Sequence, residues 1–235
     1  MAATTDYEHD PKGQELTAPY LKLYTVDSPN GRKISIFLEL LKKDYTLPFE
    51  INYRFLDFST GEHKQPWYLD INPNGKIPTI SEVDSEGSRT VLFETGAILQ
   101  YLAFKYDTEK KYHYGPTDGK NFVDQLQWLT YVIASLDSCQ FNFVFFSMFA
   151  PEKNPAVIEY FIDTSKRVYS VLDSRLKTNH GWLVGDKLNI ADIAAFCWVR
   201  SGPRFGIDLT AYPDLDAWVQ RIEKIDVVAK ALEIK

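Results

Sequence analysis

The chain has 235 residues, of which 45% are hydrophobic and 25% are charged, a length and balance typical of an ordinary soluble protein with one large or two small domains. Its net charge of −6 argues against a general nucleic-acid-binding or anionic-membrane surface, and no uninterrupted apolar run approaches the roughly 18–20 residues that span a bilayer. The two cysteines, Cys139 and Cys197, lie far apart, which excludes a disulfide framework and indicates a reducing, cytoplasmic compartment.

The N-terminal part alternates between strand and helix patterns. Residues 1–19 are polar and contain prolines and a glycine, which predicts a flexible leader without a secretory signal. The elements predicted next, in chain order, are a strand over 21–25, a helix from Ser28, a strand over 49–55, a short helix over 65–71, strands over 78–81 and 90–93, and a helix continuing from Ala97. One parallel βαβ unit followed by an antiparallel hairpin is typical of a thioredoxin-like α/β domain.

Strand patterns stop after the charged stretch from Asp107 to Gly115, and long helices are predicted over 117–148 and 155–178. A further helix is predicted to begin at Asn189, which caps it while Asp192 reaches back, as in a capping box. The sequence therefore predicts four parts: a leader over 1–19, a thioredoxin-like domain over 20–107, a linker over 108–116 and an all-helical domain over 117–235.

Two motifs point to a binding site. The run from Asn72 to Pro78 places a proline where a strand begins, and the run from Phe93 to Ile98 places a carboxylate and a hydroxyl at the start of a helix. Together they describe a site built from exposed backbone and a helix N-terminus. Such a site suits a small peptide that carries both ammonium and carboxylate groups.

The motifs Lys76-Ile77-Pro78, Glu94 to Ile98 and Asn189-x-x-Asp192, in this order and spacing, resemble the cytosolic glutathione transferases over the chain after residue 20. Three further stretches are similar to the nu-class and fungal nitrogen-regulator-like branch of that superfamily: 28–33, 55–63 and 182–188. The resemblance implies an α/β thioredoxin-like N-terminal domain that binds glutathione, followed by an all-α C-terminal helical domain. It also suggests a fungal enzyme.

The resemblance implies that the sulfur of bound glutathione lies at the N-terminus of the first helix. Asn30 would supply an amide donor to the sulfur, while Ser28 stands where many classes keep a catalytic hydroxyl, and the sequence leaves open which dominates. Arg32 and Lys33 oppose the helix dipole unless an anion lies nearby. The alternative is a capped helix with two solvated cations, and the downstream motifs favour the thiolate pocket.

The resemblance also assigns the rest of the tripeptide. A cis peptide bond before Pro78 would leave the backbone of Ile77 open to the cysteinyl backbone, where the alternative is a proline that merely starts an edge strand. Thr95 would bind the γ-glutamyl carboxylate and Glu94 the ammonium, although an acidic N-cap is the commoner role for such a pair.

For the glycyl carboxylate, His63 and Lys76 are the candidates, and the family pattern supports His63 over a merely solvated loop histidine. The second substrate would be an apolar electrophile or a disulfide. A minority of the aromatic stretch over 141–149 would line its pocket.

The leading hypothesis is therefore a glutathione transferase that activates the glutathione thiolate for conjugation to apolar electrophiles, as in detoxification, or for glutathione-dependent disulfide reduction. Glutathione is the only co-substrate implied, no metal is expected, and neither nucleic acid nor a membrane is an expected partner. The family implies a homodimer. The alternative is a non-catalytic glutathione-binding regulatory module of the nitrogen-regulator type.

Overall fold

The computed structural model describes residues 10–13 and 15–234, so most of the predicted leader, residues 1–9 and 14, lies outside it. Its strands and α-helices are β1 (Tyr20–Thr25), α1 (Pro29–Asp44), β2 (Glu50–Phe55), α2 (Pro66–Ile71), β3 (Thr79–Val83), β4 (Arg89–Phe93), α3 (Thr95–Tyr106), α4 (Lys120–Tyr131), α5 (Ser138–Val144), α6 (Pro155–Thr178), α7 (Ile190–Ser201), α8 (Pro213–Glu223) and α9 (Asp226–Ala231). Short 3₁₀ and π turns connect some of them.

The described strands form one sheet in the order β2-β1-β3-β4. β1 and β2 are parallel, with Leu23 opposite Tyr53, whereas β3 is antiparallel to both β1 and β4. The crossover helix α1 separates the parallel strands in sequence, as a parallel pair requires. The thioredoxin-like fold that the sequence predicts is therefore confirmed.

Helix α1 is stabilised by a capped N-terminus and by a buried apolar face. Ser28 adopts an extended backbone and accepts a hydrogen bond from the Gly31 N–H at 3.2 Å, and Pro29 occupies the first helical position. Ile34, Phe37, Leu38 and Leu41 lie at helical spacing and form a buried apolar face, and Ile36 and Leu40 are buried as well. Burial of this face fixes the direction in which the first turn points.

Arg32, in the first turn of α1, is buried rather than solvated. Its guanidinium pairs with Asp27, with 2.9 Å between Arg32 Nη2 and Asp27 Oδ1. Its Nη1 also donates to the carbonyl oxygens of Ala231 at 2.9 Å and Ile234 at 2.7 Å. The carboxylate and the carbonyls compensate the cation, and they tie the C-terminal residues to α1.

Two compact units divide the chain, one running to Leu102 and including the residues from Lys230 onward, the other covering Ala103–Ala229. The stretch predicted as a linker, 108–116, lies inside the second unit instead of between the two. Buried Asp107 accepts hydrogen bonds from the backbone N–H groups of Lys111 and Tyr112 at 2.8 and 2.7 Å. The charged composition that suggests a linker thus belongs to a hydrogen-bonded turn.

The sequence predicts a flexible leader over 1–19, but Asp10 within it is buried and only 2% exposed. The Asp10 carboxylate pairs with the guanidinium of Arg54 in β2, with 2.9 Å between Asp10 Oδ2 and Arg54 Nε. Sequence patterns do not reveal this pair because its members are 44 residues apart. This part of the leader is therefore held against the first unit.

The second unit is helical in its described residues, as predicted. The continuous helical segment Lys120–Phe149 is long and apolar enough, by length and composition alone, to cross a membrane. Core helices of soluble proteins meet the same criterion, so one such helix is weak evidence for a membrane span. Helix α7 begins with the predicted capping box: Asn189 accepts from the Ala191 N–H at 3.0 Å, and Asp192 accepts from the Asn189 N–H at 3.2 Å.

Asp192 also joins α7 to its neighbours, because one of its oxygens accepts from the Trp218 indole N–H at 2.9 Å and the Leu183 N–H at 3.0 Å. Burial raises the pKa of Asp192 to about 7, against the lowering effect of these hydrogen bonds. The capping box is therefore part of the core of the second unit.

The Asn189→Ala variant should lower the free energy of unfolding by about 1.5 kcal/mol, since a buried cap and its amide contacts are lost together. Denaturant unfolding measures this change. Asn154→Ala is the matched control, because Asn154 caps α6 at an exposed position. An equal or larger loss from the control would contradict a special role for the buried cap.

Candidate functional site

The predicted site residues lie on segments that meet at one edge of the sheet. Thr79 at the start of β3 pairs with Tyr24 near the end of β1 and with Phe93 at the end of β4, while Thr25 pairs with Phe55 at the end of β2. The segments that leave or enter the sheet here carry Ser28 and Asn30 after β1, His63 after β2, Lys76 to Pro78 before β3, and Glu94 and Thr95 after β4. The carboxyl end of parallel strands is a common place for ligands in open α/β sheets.

The first turn of α1 lies close against the end of β1. A Cβ atom at Gly31 would lie 2.3 Å from Thr25 Oγ1 and 2.4 Å from the Val26 carbonyl oxygen, so only glycine allows this approach. Ser28 and Asn30 flank this turn and are half-buried. Gly31 therefore sets the position of the helix N-terminus relative to the strand.

The Ile77–Pro78 peptide bond is cis, as the resemblance implies. The turn that contains it is held by Tyr68, whose hydroxyl donates to the Lys76 carbonyl oxygen at 2.7 Å, and by Asn72, whose amide donates to the same oxygen at 2.9 Å. Ile77 packs against the cluster around Tyr68 and forms no backbone–backbone hydrogen bond with another described residue. Its N–H can donate to an extended peptide ligand, and its C=O can accept from the same ligand.

Glu94 is exposed and has a φ of 72°, in the left-handed region that residues other than glycine rarely adopt. Its carbonyl oxygen accepts from the Ile98 N–H at 3.0 Å, so it stands at the start of α3. Thr95 follows as the first helical residue and is 6% exposed. A non-glycine residue held in this conformation is characteristic of functional sites.

His63 lies in a 3₁₀ turn over Glu62–Lys64, and its ring stacks on Phe58 with 4.0 Å between the ring centroids. Its Nδ1 is buried and has no hydrogen-bond partner among the described residues. Burial lowers the pKa of His63, and the neighbouring Lys64 cation adds to this effect. The ring is therefore neutral at pH 7 and keeps a polar atom for which the described residues supply no partner.

Lys76 is exposed, whereas Lys64 is committed to structure, because its Nζ donates to the carbonyl oxygen of Gly75 at 2.8 Å. Sequence reasoning gave no supporting role to Tyr68 or Arg54. It included Asn72 and Glu62 only as members of the runs 72–78 and 55–63. Burial raises the pKa of Tyr68 to about 12, so its hydroxyl stays protonated and donates.

Within residues 10–13 and 15–234, His, Cys, Asp and Glu side chains form no group of three or more that could hold a metal ion. Both cysteines are buried, and burial raises the pKa of the Cys139 thiol. A thiolate at this site would therefore have to come from a ligand.

Two family models match the chain. The one described as the N-terminal domain of glutathione S-transferase matches residues 27–104, and the one described as the C-terminal domain matches residues 136–226. The first match includes every residue predicted to bind glutathione.

Known proteins agree with this assignment. The disulfide-bond oxidoreductase YfcG of Escherichia coli is 36% identical over 90% of this chain and 94% of its own length. The transcriptional regulator URE2 of Saccharomyces cerevisiae is 28% identical over 87% of this chain and 65% of its own. The crystal structure of a glutathione transferase homologue from Lodderomyces elongisporus, with two glutathione molecules per subunit, has a TM-score of 0.84 and 36% identity over 91% of this chain and 98% of its own. The chain belongs to the glutathione transferase family.

Proposed function

We propose that the protein binds glutathione at the sheet edge and holds its sulfur as a thiolate at the N-terminus of α1. Asn30 donates its side-chain amide to the sulfur, and Ser28 offers a hydroxyl beside it. The convergence of four chain segments on this edge, with an open backbone at Ile77 and an exposed carboxylate at Glu94, is the observation that carries the proposal.

The remaining groups match the tripeptide from end to end. Ile77 forms one rung of antiparallel pairing with the cysteinyl residue, at the turn that ends in Pro78. Thr95, at the start of α3, binds the γ-glutamyl carboxylate, while Glu94 pairs with the ammonium. The His63 ring meets the glycyl carboxylate, with Lys76 as a cation on the rim.

The thiolate is the reactive form of glutathione, and a free thiol is mostly protonated at neutral pH. Lowering its pKa by two units needs about 2.7 kcal/mol of preferential stabilisation of the anion. The positive dipole end of α1 supplies part of this free energy, and the Asn30 amide supplies another part. Because these donors are fixed before the ligand arrives, they need little reorganisation.

The similarity to YfcG supports disulfide reduction as one reaction of this site. One glutathione thiolate attacks a sulfur of the substrate disulfide, which forms a mixed disulfide and releases a thiolate that takes up a proton. A second glutathione thiolate then attacks the mixed disulfide at the glutathione sulfur, which yields oxidised glutathione and releases the other thiolate. YfcG is a disulfide-bond oxidoreductase, and the Lodderomyces homologue binds two glutathione molecules per subunit. The same thiolate would add to an apolar electrophile.

The helical unit offers apolar surface for the second substrate. Within the stretch over 141–149, Phe143 is buried and Phe146 stacks on Phe161, so these two serve packing. The exposed members are Phe141, Phe145, Met148 and Phe149. We propose that the apolar contacts are a minority of the stretch drawn from these exposed members, and that the protein is a cytoplasmic homodimer.

The test has two parts. Calorimetric titration with glutathione measures binding, and ultraviolet absorbance of the bound thiolate across pH measures the thiol pKa. Turnover is then assayed with a mixed disulfide and with a model aryl halide. Absence of turnover with both substrates would overturn the enzymatic proposal.

The similarity to the regulator URE2 supports a second candidate, a glutathione-binding regulatory module. The two candidates differ in one outcome, because a regulatory module would bind glutathione without turning over either substrate. The organised surroundings of Ile77 and the strained Glu94 favour the enzyme.

The affinity for S-methylglutathione, which has no thiol to ionise, should rise about threefold as the pH falls from about 7 to about 5.5. The pKa of His63 in the free protein is low, and a bound carboxylate would raise it, so binding takes up a proton in this range. Titration calorimetry at several pH values measures the effect. The His63→Gln variant should lose it, and the same pH slope in that variant would remove His63 from the site.

A further inference from the structure

Asp10 lies outside the regular fold but is bound firmly to it. Its carboxylate makes a bidentate pair with Arg54, with 2.9 Å between Asp10 Oδ2 and Arg54 Nε and 3.1 Å between Asp10 Oδ1 and Arg54 Nη2. The backbone N–H of Gly13 donates to the Asp10 carbonyl oxygen at 2.9 Å, which closes a turn around it. Such two-point carboxylate–guanidinium pairs combine strength with fixed geometry.

Arg54 also contacts the loop that follows β2, so it connects Asp10 to this loop. Its Nη2 also pairs with Glu62 Oε1, while Glu62 Oε2 accepts from the Asp57 N–H at 2.7 Å. Burial opposes ionisation of Glu62, but the hydrogen bonds from Arg54 and Asp57 outweigh it and lower its pKa. Glu62 is therefore an ionised, fixed residue, and His63 is its immediate neighbour.

The same loop is joined to the cis-proline turn. Lys64 Nζ donates to the Gly75 carbonyl oxygen, and Gly75 approaches so closely that a Cβ atom there would lie 2.9 Å from the His63 carbonyl oxygen. A continuous series of contacts thus runs from Asp10 through Arg54 and Glu62 to the backbone that holds His63.

We propose that Asp10 is a positioning residue for recognition of the glycyl carboxylate of glutathione, acting through Arg54 and Glu62 on His63. The inference rests on the proposed function, because it assumes that His63 meets that carboxylate. Without the Asp10 carboxylate, Arg54 keeps Glu62 as its one acidic partner and loses the bidentate contact that sets the guanidinium plane. The His63 loop then samples more positions, while Ile77, Glu94 and the start of α1 keep their own supports.

The variant Asp10→Asn tests this against Glu15→Gln, which removes an exposed carboxylate from the same segment. Two ligands are titrated by calorimetry: glutathione, and γ-glutamylcysteine, which lacks the glycyl residue. Asp10→Asn should weaken glutathione binding about fivefold and leave γ-glutamylcysteine within about twofold of the wild type. Glu15→Gln should change neither, and kcat at saturating glutathione should be kept in both variants.

Equal weakening for both ligands would overturn the proposal, since it would mean a general structural role for Asp10. Unchanged glutathione affinity would overturn it as well. Arg54→Lys, which keeps a cation but loses the two-point pair, should show the same ligand-selective loss and serves if Asp10→Asn does not fold. Wild-type protein that binds neither ligand would refute the proposed function itself, an outcome separate from a failure of the Asp10 variant alone.

Discussion

The Asn30→Ala variant is expected to lower kcat about 100-fold while changing the dissociation constant of glutathione much less. The amide lies in the first turn of α1. In the proposed function it faces charge on the sulfur that is greatest in the reactive thiolate. The bound thiol should therefore become less acidic, which the pH dependence of thiolate absorbance measures. Steady-state assays with a mixed disulfide give the turnover.

The comparison variants decide which donor matters. Asn121→Ala in α4 makes the same chemical change outside the site and should leave kcat unchanged. Ser28→Ala removes the alternative hydroxyl, and a greater loss of kcat there than in Asn30→Ala would make Ser28 the principal donor. Equal losses of affinity and turnover in Asn30→Ala would make Asn30 a binding residue only.

The Glu94→Gln variant should raise the dissociation constant of glutathione about 30-fold, because a charge-assisted bond to the ammonium becomes a neutral one. The change keeps the size of the side chain, and the left-handed backbone at Glu94 is available to glutamine as well as to glutamate. Calorimetric titration measures the loss.

Glu86→Gln provides the control, since Glu86 is an exposed carboxylate in the turn between β3 and β4. It lowers the net negative charge by the same amount and should leave affinity unchanged. If Glu94→Gln bound glutathione as tightly as the wild type, the ammonium would have to be recognised elsewhere.

Local chemistry explains what could be predicted from the sequence. The cap at Ser28 and the box from Asn189 to Asp192 each depend on residues within a few positions, so their patterns are visible in one chain. The cis bond before Pro78 is instead implied by the family resemblance. The order of strands and helices followed from hydrophobic spacing. These elements fix the sheet edge at which the candidate site residues meet.

Contacts between distant residues could not be predicted. Arg54 pairs with Asp10 across 44 residues, and Arg32 reaches carbonyl groups about 200 residues away, and no spacing rule connects such partners. The charged composition after Asp107 predicts a linker, whereas the structure has a buried Asp107 carboxylate that accepts hydrogen bonds from the turn that follows it. Composition reports average polarity, whereas burial depends on whether a partner arrives from elsewhere in the chain.

The attachment of Arg32 to Ala231 and Ile234 imposes an order on biosynthesis. While a ribosome is still making the helical unit, the guanidinium has Asp27 beside it but neither of these carbonyl partners exists. At a translation rate of about 5–20 residues per second, the 199 residues that separate Arg32 from Ala231 correspond to about 10–40 s. Throughout this interval the Arg32 guanidinium, two residues from Asn30, lacks the two carbonyl partners that it has in the complete structure.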